Sequence, residues 1–222
     1  MSSQVIDNLI QDYLRSLATS SDFSLSPIQR QTIYTKIESY ASNPIKIYAH
    51  LDYLALQKVL ALLDPDDEYM QKYSIAGYLE WIELLLEEKI SHSAGRAQAQ
   101  RLSRLIEAEI DATEAPDDET LAKTIGAHPG PELGFIPFVL CEALCTVSGL
   151  FRFMEGSIHP EDSDADFDIW SRDAASWAVL AYAGDQFSNG VDLSRRKEFW
   201  EWWLSKAIPS ALAASSLPSI RS

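Results

Sequence analysis

The sequence predicts an all-α fold. Almost every segment spaces its apolar residues three and four apart, and helix-starting and helix-stopping signals recur between those segments. No stretch sustains the apolar–polar alternation and hairpin turn that a half-buried sheet needs. Hydrophobic residues make up 46% of the 222, enough to bury a core and too many for a disordered chain. That length suits a single domain, residues 1–222, of about eight or nine helices.

Taken in order, Ser26-Pro27 is an N-cap followed by proline at the first helical position, and a helix is expected to about Ala41. Asn43-Pro44 restarts one, with Tyr48, Leu51, Ala55, Val59 and Leu62 on a shared face, until Asp64-Pro65-Asp66-Asp67 breaks it. The next carries Ile75, Tyr78, Leu79, Ile82, Leu85 and Leu86. A more basic helix follows, with Arg96, Arg101 and Arg104 opposite Leu102, Leu105, Ile106 and Ile110. Pro116-Asp117-Asp118 marks a boundary, a short helix is expected around Glu119 to Ile125, and Gly126 to Pro131 reads as a loop. Leu133 to Met154 is the most apolar stretch and is expected to lie at the centre of the fold. A polar link from about Gly156 to Ala165 leads to helices near Asp168–Tyr182 and Ser194–Ala213, and the tail from Ser215 to Ser222 is expected to fray.

The last of these helices is the most distinctive. It follows Arg195-Arg196-Lys197 and holds three of the six tryptophans within four residues. Wound as a helix, Trp200, Trp203, Leu204, Ala207, Ile208 and Ala211 line one face, and Phe199 and Trp202 widen it. A face this broad is expected to be buried, with an exposed binding patch as the lesser alternative. Pro209 lacks a backbone donor and is expected to kink or end the helix.

That order of basic residues, Phe-Trp, Trp-Trp-Leu and Ile-Pro resembles the C-terminal signature of one family of immunity proteins, the all-helical antidotes encoded beside bacterial polymorphic toxins. The resemblance is densest from about Gly130 to Ala211. It includes Pro131-Glu132-Leu133-Gly134-Phe135, Asp173-Ala174-Ala175-Ser176-Trp177-Ala178, Ala181-Tyr182-Ala183-Gly184 and Asp192. A weaker echo lies at Lys58-Val59-Leu60, where the family's Trp-Glu continuation is replaced by Ala61 to Asp64. The resemblance implies stoichiometric binding and neutralisation of a cognate toxin protein in the producing cell, without catalysis and without a cofactor.

Charge and composition narrow the partner. The formal net charge is −15, from 33 acidic and 18 basic residues, which argues against direct nucleic-acid binding and favours a cationic partner or simple solubility. The N-terminus shows no basic region followed by an apolar one, so no secretory signal is expected. Two cysteines imply no disulfide framework and fit a reducing cytoplasm. The apolar stretch at Leu133–Met154 contains Pro137, Glu142 and Arg152. An acid at its middle would cost roughly 3 kcal/mol in a bilayer, so it reads as a core helix and no membrane association is expected.

The sharpest local feature is the acidic run Glu161, Asp162, Asp164, Asp166 and Asp168. With Asp173, four of these fall at the first, third, fifth, seventh and twelfth positions of a calcium loop. Phe167, however, occupies the sixth position, where the turn needs glycine, and Asp173 replaces the bidentate Glu. Two other readings stand beside calcium: an exposed loop with Asp166 capping the next helix and Asp168 favoured by its dipole, or a toxin-binding surface. Glu142 is expected to be buried and paired with an arginine, for which Arg96, Arg101 and Arg104 are candidates.

Cys141 and Cys145 lie one helical turn apart and read as small core residues, because no histidine is near in sequence to complete a zinc site. His50, His92, His128 and His159 make no catalytic or metal pattern, and there is no nucleophile elbow or phosphate loop. The rival to an inhibitor is a helical small-molecule-binding or hydrolytic enzyme using Glu142 and the Asp162–Asp173 carboxylates, or a helical adaptor.

Overall fold

A computed structural model describes residues 3–63, 68–112, 133–151, 158, 172–184 and 190–215. Of these, 81% are helical, in nine helices with no strand among the described residues, as the periodicity requires. The segments expected as a short helix at Glu119–Ile125, the Gly126–Pro131 loop, the polar link and most of the tail lie outside the described residues.

Helix α1 (Ser3–Thr19) was not marked by any start signal, yet it places Ile6, Ile10 and Leu17 in the core. Helix α2 (Pro27–Tyr40) opens on a capping box: the Ser26 hydroxyl accepts from Gln29 N, and the Gln29 side chain accepts from Ser26 N at 2.8 Å. Helix α3 (Pro44–Leu60) is capped by the Asn43 side chain, which accepts from Lys46 N at 3.3 Å. A short α4 (Glu68–Lys72) leads into α5 (Ile75–Leu86) and the long α6 (His92–Ala112).

All twelve residues of α7 (Ile136–Val147) are buried. Leu133–Met154 was expected as one central helix; the helix is shorter, preceded by a 3₁₀ turn at Leu133–Phe135 and ended by Gly149 at φ +82°. It lies against α3, and these two form the axis of the fold, with α5 and α6 on one side and α8 (Ala174–Ala183) on another.

Gly95 of α6 sits close against Leu85 of α5 and Ser148 at the C-cap of α7. A Cβ on Gly95 would overlap the Ser148 hydroxyl and stand 2.7 Å from Leu85 Cδ1, so those two buried side chains would have to shift for any other residue. Above this point Arg96 Nη1 donates to the Ser148 carbonyl at 3.2 Å, placing positive charge at the C-terminal end of α7. The buried row of α6 is Gly95, Ala99, Leu102 and Ile106. Leu105, expected on that row, is 47% exposed, because among the described residues α6 packs mainly on α7 and α5 and buries a narrow stripe.

Helix α9 starts as Leu193–Trp202, widens into a π turn at Trp203–Ala207 and continues as Ile208–Ser215. Pro209 was expected to kink or end this helix; the helix does not end there but runs on past it, its regular α geometry interrupted just before. In an uninterrupted α-helix its ring would press on the Ser205 carbonyl, and the wide turn just before it relieves that conflict. The aromatic face is buried as expected: Trp200 is 1% exposed and Trp203, Leu204 and Ile208 are 0%. Trp203 meets Trp200 edge to face at 5.7 Å and Tyr34 at 6.2 Å, tying α9 to α2.

Candidate functional site

Two polar clusters stand out, one inside the core and one at its edge. The inner cluster joins α2 to the start of α8. Arg30 and Asp173 are fully buried, and Arg30 Nε donates to Asp173 Oδ2 at 3.0 Å. The Tyr34 hydroxyl donates to the same oxygen at 3.1 Å, while Oδ1 caps α8 by accepting from Ser176 N at 3.1 Å. Arg30 also donates to the Leu25 carbonyl at 2.7 Å and stacks 5.5 Å from the Trp200 ring. Burial first, and then the charge of Asp173, push the Tyr34 hydroxyl well above its ordinary pKa, so it remains a donor.

Asp52 on α3 lies near this cluster. It is 2% exposed and its Oδ2 has no hydrogen-bond partner. Burial pushes its pKa up to about 8, opposed by a hydrogen bond from the Thr146 side chain and aided by the nearby Asp173 charge. Burial thus favours the neutral form of Asp52. The sequence reading missed it, although an acid inside the apolar row of α3, four residues from Tyr48 and from Leu56, is the same kind of signal that singled out Glu142.

The outer cluster gathers three stretches that carry the family resemblance: Lys58 at the end of α3, Tyr182 at the end of α8, and Arg195 to Trp202. Glu198 Oε1 accepts from Lys58 Nζ at 2.8 Å and from the Tyr182 hydroxyl at 2.6 Å. These bonds, that from Lys58 foremost, hold the Glu198 carboxyl below its usual pKa. The Lys58 ammonium also stands 4.5 Å from the centre of the Tyr182 ring and 5.6 Å from that of Trp202.

The basic triplet is spent on neighbouring segments. Arg195 Nη1 donates to the Tyr182 carbonyl at 3.2 Å, at the C-terminal end of α8. Arg196 Nη1 donates to the Ser24 hydroxyl at 3.4 Å, and Lys197 lies 5.2 Å from the Phe23 ring. Asp192 starts the helix by accepting from Ser194 N and Arg195 N at 2.9 and 3.0 Å.

The acidic run Glu161, Asp162, Asp164, Asp166 and Asp168 lies outside the described residues. What is described corrects two readings around it. The cap of α8 is Asp173, not Asp166, and the helix begins at Ala174 rather than near Asp168. Asp173 is also committed to Arg30, Tyr34 and Ser176, which removes the twelfth ligand of a calcium frame.

Glu142 is 6% exposed on α7, buried as expected, while Arg101 and Arg104 lie exposed on α6. Cys141 and Cys145 are free and buried in the core. Among the described residues no three His, Cys, Asp or Glu side chains are grouped to hold a metal, and no helix is long and apolar enough to cross a membrane.

Among curated proteins no sequence matches the chain. A family model does: that of Immunity protein Imm5 matches residues 10–210, nearly the whole chain and far more than the C-terminal part in which the resemblance is densest. The chain therefore belongs to the Imm5 immunity protein family, and its function is to bind and neutralise a cognate toxin.

Proposed function

We propose that the protein acts as a single 222-residue domain in the cytoplasm, neutralising a cationic toxin, a nuclease in particular, by stoichiometric binding. The family implies a non-enzymatic inhibitor. In this reading the chain itself performs no catalysis and needs no cofactor, nucleic acid or membrane.

The observation that carries the reading is the net charge of −15 together with the outward placement of acids such as Glu80 and Glu83 on α5 and Glu87 at its C-cap. Such a field speeds the approach of a basic partner and repels nucleic acid. The segment Glu161, Asp162, Asp164, Asp166 and Asp168 is proposed as part of the contact surface. The rival enzyme built on Glu142 and the Asp162–Asp173 carboxylates is disfavoured by Asp173, whose two oxygens serve Arg30, Tyr34 and the cap of α8.

The test is titration of the purified cognate toxin. Its activity should vanish at one equivalent of this protein, with an association rate that falls as salt is raised. Inhibition at far below one equivalent would point to catalysis and overturn the proposal. A salt-independent association rate would reject the cationic partner.

A further inference from the structure

The outer cluster has a property that holding the helices together does not require. Both donors that fix Glu198 go to the same oxygen, Oε1, at 2.8 Å from Lys58 and 2.6 Å from Tyr182. The side chain is nevertheless 57% exposed, and neither of these bonds uses Oε2. Trp202 lies four residues on, on the same face of α9, and is the one member of the tryptophan triplet that is only partly buried. Its ring is steadied by Phe199 at 5.6 Å and by the Lys58 ammonium. Partly exposed ion pairs do little for stability, so the exposed side of this pair is not explained by the link it makes between α3, α8 and α9.

We propose that Glu198 and Trp202 form a seat for one arginine side chain of the toxin, with the guanidinium donating to Glu198 Oε2 and its plane lying on the exposed part of the Trp202 ring. This rests on the toxin-binding function of the family and names the part of the surface that anchors the complex. A planar cation suits the pair better than an ammonium, because a guanidinium can meet a carboxylate edge and an aromatic face together. Lys58 balances one unit of charge, but its ammonium is directed at Oε1 and the two rings, which leaves Oε2 as a directional acceptor. Both side chains already make contacts that hold them in the free protein, Glu198 through Lys58 and Tyr182 and Trp202 against Phe199, which lowers the cost of ordering them on binding. Trp and Arg are also the residue types on which interfaces most often depend.

The experiment uses the full-length protein and its purified cognate toxin, with dissociation followed by biolayer interferometry. Glu198→Gln keeps an oxygen for Lys58 and Tyr182 but removes the charge, and should raise the dissociation rate about tenfold or more while leaving the urea midpoint of the free protein unchanged. Trp202→Leu should act in the same direction. The double variant should lose less than the product of the two single losses, because both residues hold one side chain.

A dissociation rate for Glu198→Gln within about twofold of wild type overturns the seat. So does a double variant whose losses multiply. Hydrogen exchange on the complex provides a check independent of any substitution: protection gained along 195–206 supports the seat, and protection confined to other segments rejects it. If the wild-type protein fails to bind the toxin at all, it is the family function that fails for this pair, a result distinct from either outcome above.

Discussion

Arg30 Nε lies 3.0 Å from Asp173 Oδ2, and neither side chain is reached by solvent. The two residues stand 143 positions apart, so this one contact fastens the second helix to the start of the eighth. It is surrounded by compensating bonds from Tyr34, Ser176 and the Leu25 carbonyl, as a buried charge pair must be to offset its desolvation.

Removing one partner should therefore be far worse than removing both. Arg30→Ala leaves Asp173 as a buried charge held only by Tyr34 and a backbone amide, and should cost about 3–5 kcal/mol in urea unfolding. Replacing the pair by apolar residues of similar size, Arg30→Met with Asp173→Leu, should cost less than the two single losses added together, although α8 then loses its cap. Strict additivity would mean that the two charges do not act as a pair.

Asp52 predicts an unusual pH dependence. Its carboxyl titrates at about 8 in the fold against a model-compound value of 3.8. A raised folded pKa means that the native state holds the proton more tightly. This contribution is fully present below about pH 4, declines as pH rises from about 4 to about 8, and is gone above that. Asp52→Asn, which cannot ionise, should be insensitive to this window. The stability of the variant relative to wild type should thus increase from pH 4.5 to pH 8.5 in chemical denaturation. A difference that stays constant with pH would show that Asp52 titrates as an ordinary surface acid.

Trp203→Ala removes a side chain that is 0% exposed and touches both Trp200 and Tyr34. It should lower stability by about 3–5 kcal/mol, read from the denaturant midpoint at unchanged slope. An unchanged midpoint would contradict the burial.

The tryptophan face was legible because its spacing is local: positions 200, 203, 204, 207, 208 and 211 share a stripe whatever they pack against. The π turn was not legible, since it answers a conflict between Pro209 and the helix that must continue past it to bury Ala211. The inner polar cluster was hidden for a different reason. Arg30, Asp52 and Asp173 look like surface residues until α2, α3 and α8 are brought together, and only the apolar neighbours of Asp52 gave a hint. Helix α1 had the spacing, with Ile6, Ile10 and Leu17, but neither a proline nor a capping pair to announce it. The outer cluster was half visible: its aromatic and basic residues were singled out, while the role of Glu198 depends on Lys58, which lies 140 positions away.

Gly95 of α6 lies against the buried side chains of Ser148 and Leu85, and Gly95→Ala tests that packing. In an exposed helix this change would be stabilising, because alanine loses less backbone freedom on folding. Here the new methyl group would meet the Ser148 hydroxyl and Leu85, so overpacking should reverse the sign and destabilise the protein by about 1–3 kcal/mol. A gain in thermal midpoint would show that Ser148 and Leu85 make room without cost.

The last prediction concerns the acidic run. Clustered carboxylates repel one another and do not stabilise a fold, so a run of five acids within eight positions is better explained by a partner than by stability. Replacing Asp162, Asp164 and Asp166 by Asn should leave the unfolding midpoint nearly unchanged. It should slow association with the toxin at low ionic strength, by about tenfold if the run lies on the approach path, and the deficit should shrink as salt screens the field. Dissociation should change much less, which separates this steering role from the anchoring assigned to Glu198 and Trp202. Association that is unchanged across ionic strength would leave the run as a solvated loop. Calorimetric titration of the free protein with calcium should give no binding heat, since Asp173 is held inside by Arg30.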